Sequence, residues 1–467
     1  MKNRSLVLIL ILAFLASAAP AQRVRPARPR PAASTAAAAA KPQAVPYEIP
    51  VQVKTLSNGM QVIVLADRSV PLVTISIAVR NGSFTEPPEL NGLSHLYEHM
   101  FLKTNHATAL YRCQQSRTVN PAYFAANNCQ AELALLPDIK TVDYQGELEE
   151  TGASSNASTQ QEVVEYYSST TSPYILPVLR SMKDALRFPK FDEEEFAGEK
   201  QVVIGELDRN LSEPGFYLND EMMNRLFYKY PTRKKPGGTR ETVASATTAQ
   251  MRLIQSRYYV PNNSALIVTG DVDAETIFHL AEQLFGDWKA SDDPFKKFPL
   301  VEHPPLAKSE GAVVIQPVNS TLLAIGWQGP SIGKDDASTY AADVFSFILR
   351  QPNSKFSKAL VDSGLTSGVD LSYLTQRNVG PIQATMLTSP DKARAALKAF
   401  YAQVGMFDKP GYFSDEELDN AKTLLEADDL YGREKLSDYA HTLSFWWSST
   451  GIDYYRGYYK KIGRAHV

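Results

Sequence analysis

The chain has 467 residues, 44% hydrophobic and 21% charged, which is ordinary globular composition and enough for two or more domains. A formal net charge of −3 gives no global basic character, so no nucleic-acid partner is expected. Lys2 and Arg4 precede the apolar run Leu6–Ala19, which is too short to span a bilayer comfortably, and small residues follow at Ala19–Ala21. This order reads as a secretory signal peptide over 1–21, cut after Ala21. The expected location is therefore periplasmic or secreted, with no stable membrane span after cleavage; an uncleaved membrane anchor is the rival reading. Residues 22–46 are rich in Pro, Ala and Arg and poor in large apolar side chains, the composition of a disordered linker.

Folded sequence is expected from about Tyr47. Met60–Ala66 (MQVIVLA) follows the turn pair Asn58-Gly59 and reads as a strand. Val73–Val79 alternates Val73, Ile75, Ile77 and Val79, the pattern of a half-buried strand. Residues 104–150 lack clear periodicity, look like an insertion, and hold both cysteines, Cys113 and Cys129. In an exported chain this pair can oxidise, and so short a loop contributes roughly 3 kcal/mol in the chain-entropy account.

Val163–Thr171 is the next strand-like run. A helix is expected from Ser172-Pro173 to about Phe188, with Ile175, Leu179, Met182 and Leu186 inward. Another starts at Asp192, an N-cap followed by three glutamates, and stops before Pro214. Ser264–Trp288 reads as a buried strand and then an amphipathic helix. After a linker-like stretch, 311–318 and 320–329 read as strands, 336–351 as a helix, and 414–432 as a capped helix. The sequence thus divides into two α+β halves, 47–280 and 281–467.

The stretch NGLSHLYEHMFLK (Asn91–Lys103) carries the chemistry. On a helix, residues four apart share a face, so His95 and His99 can aim their imidazoles at one point, with Glu98 on the same side. Two neutral imidazoles suit Zn2+, and a carboxylate beside the metal but not on it can serve as a base. HxxEH is the inverted form of the HExxH zinc-protease motif. The bland alternative is a pair of satisfied surface histidines. Zinc needs a third protein ligand, and Glu199 and Glu206, two helical turns apart, share a face of the helix after Asp192. Such a glutamate pair alone is more often solvated helix surface.

The chain resembles the pitrilysin/insulinase family of inverzincin metallopeptidases, which includes the mitochondrial processing peptidase. The resemblance runs from about Val51 to Lys461 and rests on GLSHLYEHMFLK, GASSNASTQQEVVEYYS, FDEEEFAGEKQVVIGELDR, YYVPNNSALIVTGDVD and FSDEELDNAK. It implies two homologous α+β domains, each a mainly antiparallel sheet packed with helices, enclosing a cleft with zinc on the first. It implies His95, His99 and Glu206 as zinc ligands and Glu98 as the catalytic base. Glu199, counted with Glu98 in the catalytic set, holds a ligand histidine, and Asn156 lies near the substrate backbone. The peptide substrate adds as a strand to a sheet edge.

The sequence departs from the family pattern in two ways. The gap from His99 to Glu206 is longer than usual, and the segment 104–150 accounts for the excess. The family's LRExxGLAY-like stretch corresponds to LVDSGLTSG (360–368), which has neither the Arg nor the Tyr that helps hold substrate. The chain therefore looks like the zinc half of a pair whose homologous partner supplies Arg and Tyr. The functional expectation is an exported zinc endopeptidase. The alternatives are a non-catalytic binding or assembly subunit of such a pair, and another zinc hydrolase on this fold. The closing IGRAHV (462–467) matches the translation of a common sequencing adapter and has no helical continuation. The expectation is that it is artefactual and the second domain is cut short.

Overall fold

The computed structural model describes residues 48–134, 148 and 151–463. The expected signal segment and linker, part of the expected insertion and the last four residues lie outside the described residues.

The first half is built on strands β1 (Gln52–Thr55), β2 (Gln61–Ala66), β3 (Leu72–Val79), β4 (Ser154–Thr159), β5 (Val164–Thr171) and β6 (Ser264–Gly270), in the order β1-β2-β6-β3-β5-β4. Every pairing is antiparallel except β2 with β6. The Asn58-Gly59 turn before β2 needs a left-handed residue, and Gly59 has φ 87°. The Asn58 amide donates to the carbonyls of Phe285 and Trp288 at 2.7 and 3.0 Å, tying this turn to a distant helix end.

The helices of this half are α1 (Leu93–Phe101), α2 (His106–Val119), α3 (Pro121–Ala126), α4 (Cys129–Ala134), α5 (Ile175–Arg187) and α6 (Glu193–Leu211). They continue with α7 (Pro214–Leu226), α8 (Arg240–Ser245), α9 (Thr248–Tyr258) and α10 (Ala274–Phe285). One face of the sheet packs Val62, Val64, Ile75, Ile77 and Leu266 against Leu96, Tyr97, Leu179, Leu186 and Phe278. The expected boundary after residue 280 falls inside α10, whose Ala281 and Phe285 are fully buried in this core.

The segment expected to lack periodicity folds as α2, α3 and α4 where it is described. Its helices are set by caps rather than by an apolar stripe. Asn105 and Thr108 form a reciprocal capping box, and Asn120 caps α3 ahead of Pro121. The sulfurs of Cys113 and Cys129 are bonded, with Cα atoms 5.2 Å apart.

The second half carries β7 (Thr321–Gln328), α11 (Asp336–Arg350), β8 (Gly368–Tyr373), β9 (Pro381–Thr388), α12 (Ala393–Val404), α13 (Asp415–Gly432), α14 (Leu436–Ser449) and α15 (Ile452–Ile462). Its sheet has the order β7-β9-β8, all antiparallel, which repeats β3-β5-β4 of the first half. The succession of elements repeats as well: β3, α1, β4, β5, α5, α6 is matched by β7, α11, β8, β9, α12, α13. This is the expected architecture of two α+β halves with mainly antiparallel sheets.

Three expectations are corrected. Residues 311–318 form no strand; Val313 and Ile315 stand 89% and 88% exposed, and among the described residues no strand pairs with this segment to supply a ladder. β3 is buried on both faces rather than one, because α14 and its neighbours cover the side carrying Ile63, Ala78 and Ile267 with Leu443, Trp447 and Tyr455. Ile462 is the last residue of α15 and is fully buried, so the helix continues one residue into the closing segment. No helix among the described residues is long and apolar enough to cross a membrane.

Candidate metal centre

α1 starts abruptly, and the reason is a buried carboxylate. Glu86 accepts from the backbone N–H groups of Gly92 and Ser94 at 2.8 and 2.6 Å and from the Asn91 amide at 3.2 Å. Asn91 also donates to the carbonyls of Thr232 and Lys235 at 3.0 and 2.9 Å. Gly92 lies so near Gly238 that a Cβ would meet its Cα at 2.7 Å. The start of the helix is thus pinned from two sides. Burial pushes the Glu86 carboxyl up to about 7, against these donors. Glu86 was not singled out in the sequence; the signal available was a glutamate just upstream of a helix whose N-cap is a glycine.

Leu93, Leu96, Tyr97 and Met100 form the inward face of α1. That leaves His95, Glu98 and His99 on the other side, half-buried, facing α6. Glu206 Oε2 lies 3.6 Å from His95 Nε2 and 3.6 Å from His99 Nε2. One ligand atom from each of the three residues lies within 4.8 Å of the others. Tetrahedral Zn2+ with ligands about 2.05 Å away separates its ligand atoms by about 3.4 Å. The three side chains therefore fit that ion, and three protein ligands leave a fourth position open. The imidazoles meet nearly edge to face, at 87°.

Glu199, the earlier glutamate of α6, stands behind the site. Its Oε2 is 3.0 Å from His99 Nδ1, and its Oε1 is 2.5 Å from Lys103 Nζ. A carboxylate only accepts, so His99 Nδ1 carries the hydrogen and Nε2 is left to face Glu206. Glu98 Oε2 lies 3.9 Å from His95 Nε2 and accepts from Thr159 Oγ1 at 2.9 Å. Thr159 was passed over in the sequence although it sits within the quoted GASSNASTQQEVVEYYS stretch, at the end of β4; only strand alternation could have assigned its face.

The charges are interdependent. Burial, helped by the His99 charge, pulls His95 down to about 4 against the pull of Glu206. Burial also acts downward on His99, but the close carboxylate of Glu206, with Glu98 and Glu199, outweighs it and holds His99 above its ordinary value. The close approach of His99, with the charges of both imidazoles, holds Glu206 low despite burial. Burial raises Glu98 above the usual carboxylate value, against the His99 charge and the Thr159 hydrogen bond.

β4 ends the sheet and has β5 as its neighbour on one side. Its other edge is unpaired among the described residues. Asn156 is exposed on this strand. Strand alternation puts it on the face opposite Thr159, with its register partner Tyr167, whose ring contacts His441 of α14 edge to face. The structure therefore gathers His95, Glu98, His99, Glu199 and Glu206 and leaves Asn156 on the adjoining edge strand. The 360–368 run leads into β8; Leu360 is buried and Thr366 donates to its carbonyl at 3.1 Å.

Residues 61–115 and 140–238 match the insulinase family (peptidase family M16), and residues 245–425 match the peptidase M16 inactive domain. The chain belongs to the insulinase family. All five clustered residues fall in the first match, and the inactive-domain match covers most of the second half. The match passes over residues 116–139, within the segment expected to be an insertion. A protein named zinc protease PqqE, from Helicobacter pylori, is 24% identical over 83% of this chain and 81% of its own. The probable mitochondrial-processing peptidase subunit beta of Arabidopsis thaliana is 23% identical over 60% of this chain and 47% of its own. Among solved structures, a protease from Helicobacter pylori shares the fold with a TM-score of 0.73 at 22% identity, covering 89% of this chain and 93% of its own.

Proposed function

We propose that this insulinase-family chain is an exported zinc-dependent endopeptidase that hydrolyses peptides or unfolded polypeptide segments. The observation that carries this reading is the meeting of His95, His99 and Glu206 at one point, with Glu98 beside them and outside the ligand set. When bound there, zinc supplies a Lewis acid and makes a water molecule acidic enough to lose its proton near neutral pH.

The protein's own residues do the rest. Glu199, bridging His99 and Lys103, keeps the His99 ring turned so that Nε2 faces the site. Glu98 is the general base. Its raised proton affinity suits it to take a proton from the attacking water and return it to the leaving amine. The free edge of β4 offers unpaired backbone groups to an extended peptide, which adds as a further strand with Asn156 close to it. His95→Ala tests the ligand set: metal and cleavage of a generic unfolded peptide should be lost together. Unchanged metal content per chain would overturn the assignment.

Export follows from the N-terminal signal pattern. Cell fractionation with N-terminal sequencing of the mature protein tests it, and a cytosolic chain that keeps Met1 would contradict it.

One observation favours a second reading. Neither Arg nor Tyr is present at 360–368 to grip substrate, and one relative is by name a subunit. A homologous partner that carries the pair should raise kcat/KM without changing zinc content, since positioning supplies much of the rate. Bound zinc without cleavage, with or without such a partner, would favour a non-catalytic assembly role.

A further inference from the structure

The two halves meet at more than their cores, and one of the meeting places is polar. The loop between β8 and β9 is held on one side by two buried charged side chains of the first half. Glu162 accepts from the backbone N–H groups of Arg377 and Asn378 at 2.9 and 3.0 Å. Lys234 donates to the carbonyls of Asn378 and Val379 at 2.8 and 2.9 Å. On its other side the same loop borders a cavity of about 480 Å³, lined by Arg80 and Asn262 of the first half, by Asp293 and Phe295 of the segment that follows α10, and by Arg377 and Thr450 of the second half.

We infer that a small oxyanion, a phosphate or carboxylate group, binds in this cavity between Arg80 and Arg377. Two guanidinium groups line one space, and among the described residues neither has a carboxylate within ion-pair distance. Arg80 is fixed in place: it stacks 4.1 Å over the Trp447 ring and donates to the Trp447 and Ser448 carbonyls at 3.0 and 3.3 Å. That uses two of its five N–H donors. Those bonds explain Arg80 as a cap on the end of α14, but they give no role to Arg377. The Arg377 guanidinium rests 5.8 Å from the Phe295 ring centre, and the residue's bond to Glu162 is made by its backbone N–H.

The cavity holds one carboxylate, Asp293, and that group accepts from the Phe295 backbone N–H at 2.9 Å. The lining therefore has two positive charges against one negative. The like charges are felt: burial and then the Arg377 charge draw Arg80 down to about 10, with Asp293 acting the other way. Thr450 adds a buried hydroxyl that has no partner among the described residues. A planar or tetrahedral oxyanion between the two guanidinium groups would accept from the N–H donors that Arg80 has left and from those of Arg377. It would tie the Arg377 side chain to the first half, as Glu162 already ties its backbone.

The ligand chemistry has two sources, free inorganic phosphate or the C-terminal carboxylate of a peptide. Calorimetric titration of the zinc-loaded protein, at ionic strength matched with chloride, separates them. The probes are inorganic phosphate, a dipeptide free acid and the same dipeptide amide. The expected result is saturable binding of phosphate or of the free acid, not the amide. Arg377→Gln should weaken it at least ten-fold, and Arg377→Lys should weaken it less. Phosphate binding alone identifies the free anion; free-acid binding identifies a peptide terminus. No binding of either probe, or binding of undiminished strength in Arg377→Gln, would overturn the inference, since an anion bound elsewhere, the metal centre included, does not need Arg377.

Discussion

Glu199 Oε2 lies 3.0 Å from His99 Nδ1, so one carboxylate sets both the tautomer and the ring orientation of a histidine proposed to hold zinc. Lys103, at 2.5 Å from the other oxygen, holds that carboxylate in place. Glu199→Gln puts an amide where two donors need an acceptor. Zinc affinity should fall roughly ten- to a hundred-fold, with the ligands themselves untouched. Competition with a metal chelator measures it. Wild-type affinity in this variant would remove Glu199 from the site.

Acidification should release the metal. In the metal-free protein, burial lowers His99, but Glu206, Glu98 and Glu199 prevail and hold its proton to a pH above the ordinary 6.5. A proton on His99 competes directly with the ion. Below the His99 pKa, apparent zinc affinity should fall about ten-fold for each pH unit. Chelator competition between about pH 6 and 8 checks this, and flat affinity over that range would contradict it.

The site helix depends on Glu86. Glu86→Ala leaves the N–H groups of Gly92 and Ser94 buried without acceptors and frees Asn91 from one partner. Each orphaned donor costs about 1–3 kcal/mol. A fall in Tm of roughly 5 °C or more is expected, with weakened zinc binding because His95 and His99 ride on this helix. Thermal unfolding with and without metal tests it; an unchanged Tm would show that the helix start is anchored elsewhere.

Much of the site was legible because it is local. HxxEH needs one helical turn, and the glutamates of α6 need two, so spacing alone grouped the three residues of one helix and the two of the other by face. The strands β2, β3, β5 and β6 were legible for the same reason, as runs of β-branched residues bounded by turns. What spacing could not show was contact between distant segments. β3 reads as half-buried because its second cover, α14, comes some 360 residues later. Val313 and Ile315 alternate like a strand, yet a strand exists only where a neighbour accepts its ladder. The Glu86 anchor and the Arg80–Arg377 cavity are likewise products of tertiary closure.

The bond between Cys113 and Cys129 links α2 to α4 across a separation of 16 residues. Replacing both with serine should lower unfolding free energy by about 3 kcal/mol if the chain-entropy account holds. Thiol labelling before and after reduction should find no free thiol in protein recovered from an oxidising compartment. Full labelling without reductant would contradict both the bridge and the proposed export.

The central claim is that His95, His99 and Glu206 hold zinc while Glu98 moves the proton. Glu98→Gln tests it most directly, read by metal content and peptide turnover on the same preparation. The amide keeps the shape beside Thr159 but cannot accept a proton from the attacking water. The account predicts zinc content equal to the wild-type protein and turnover reduced by about a hundred- to ten-thousand-fold. Near-normal turnover, or loss of zinc with the glutamate, would contradict it.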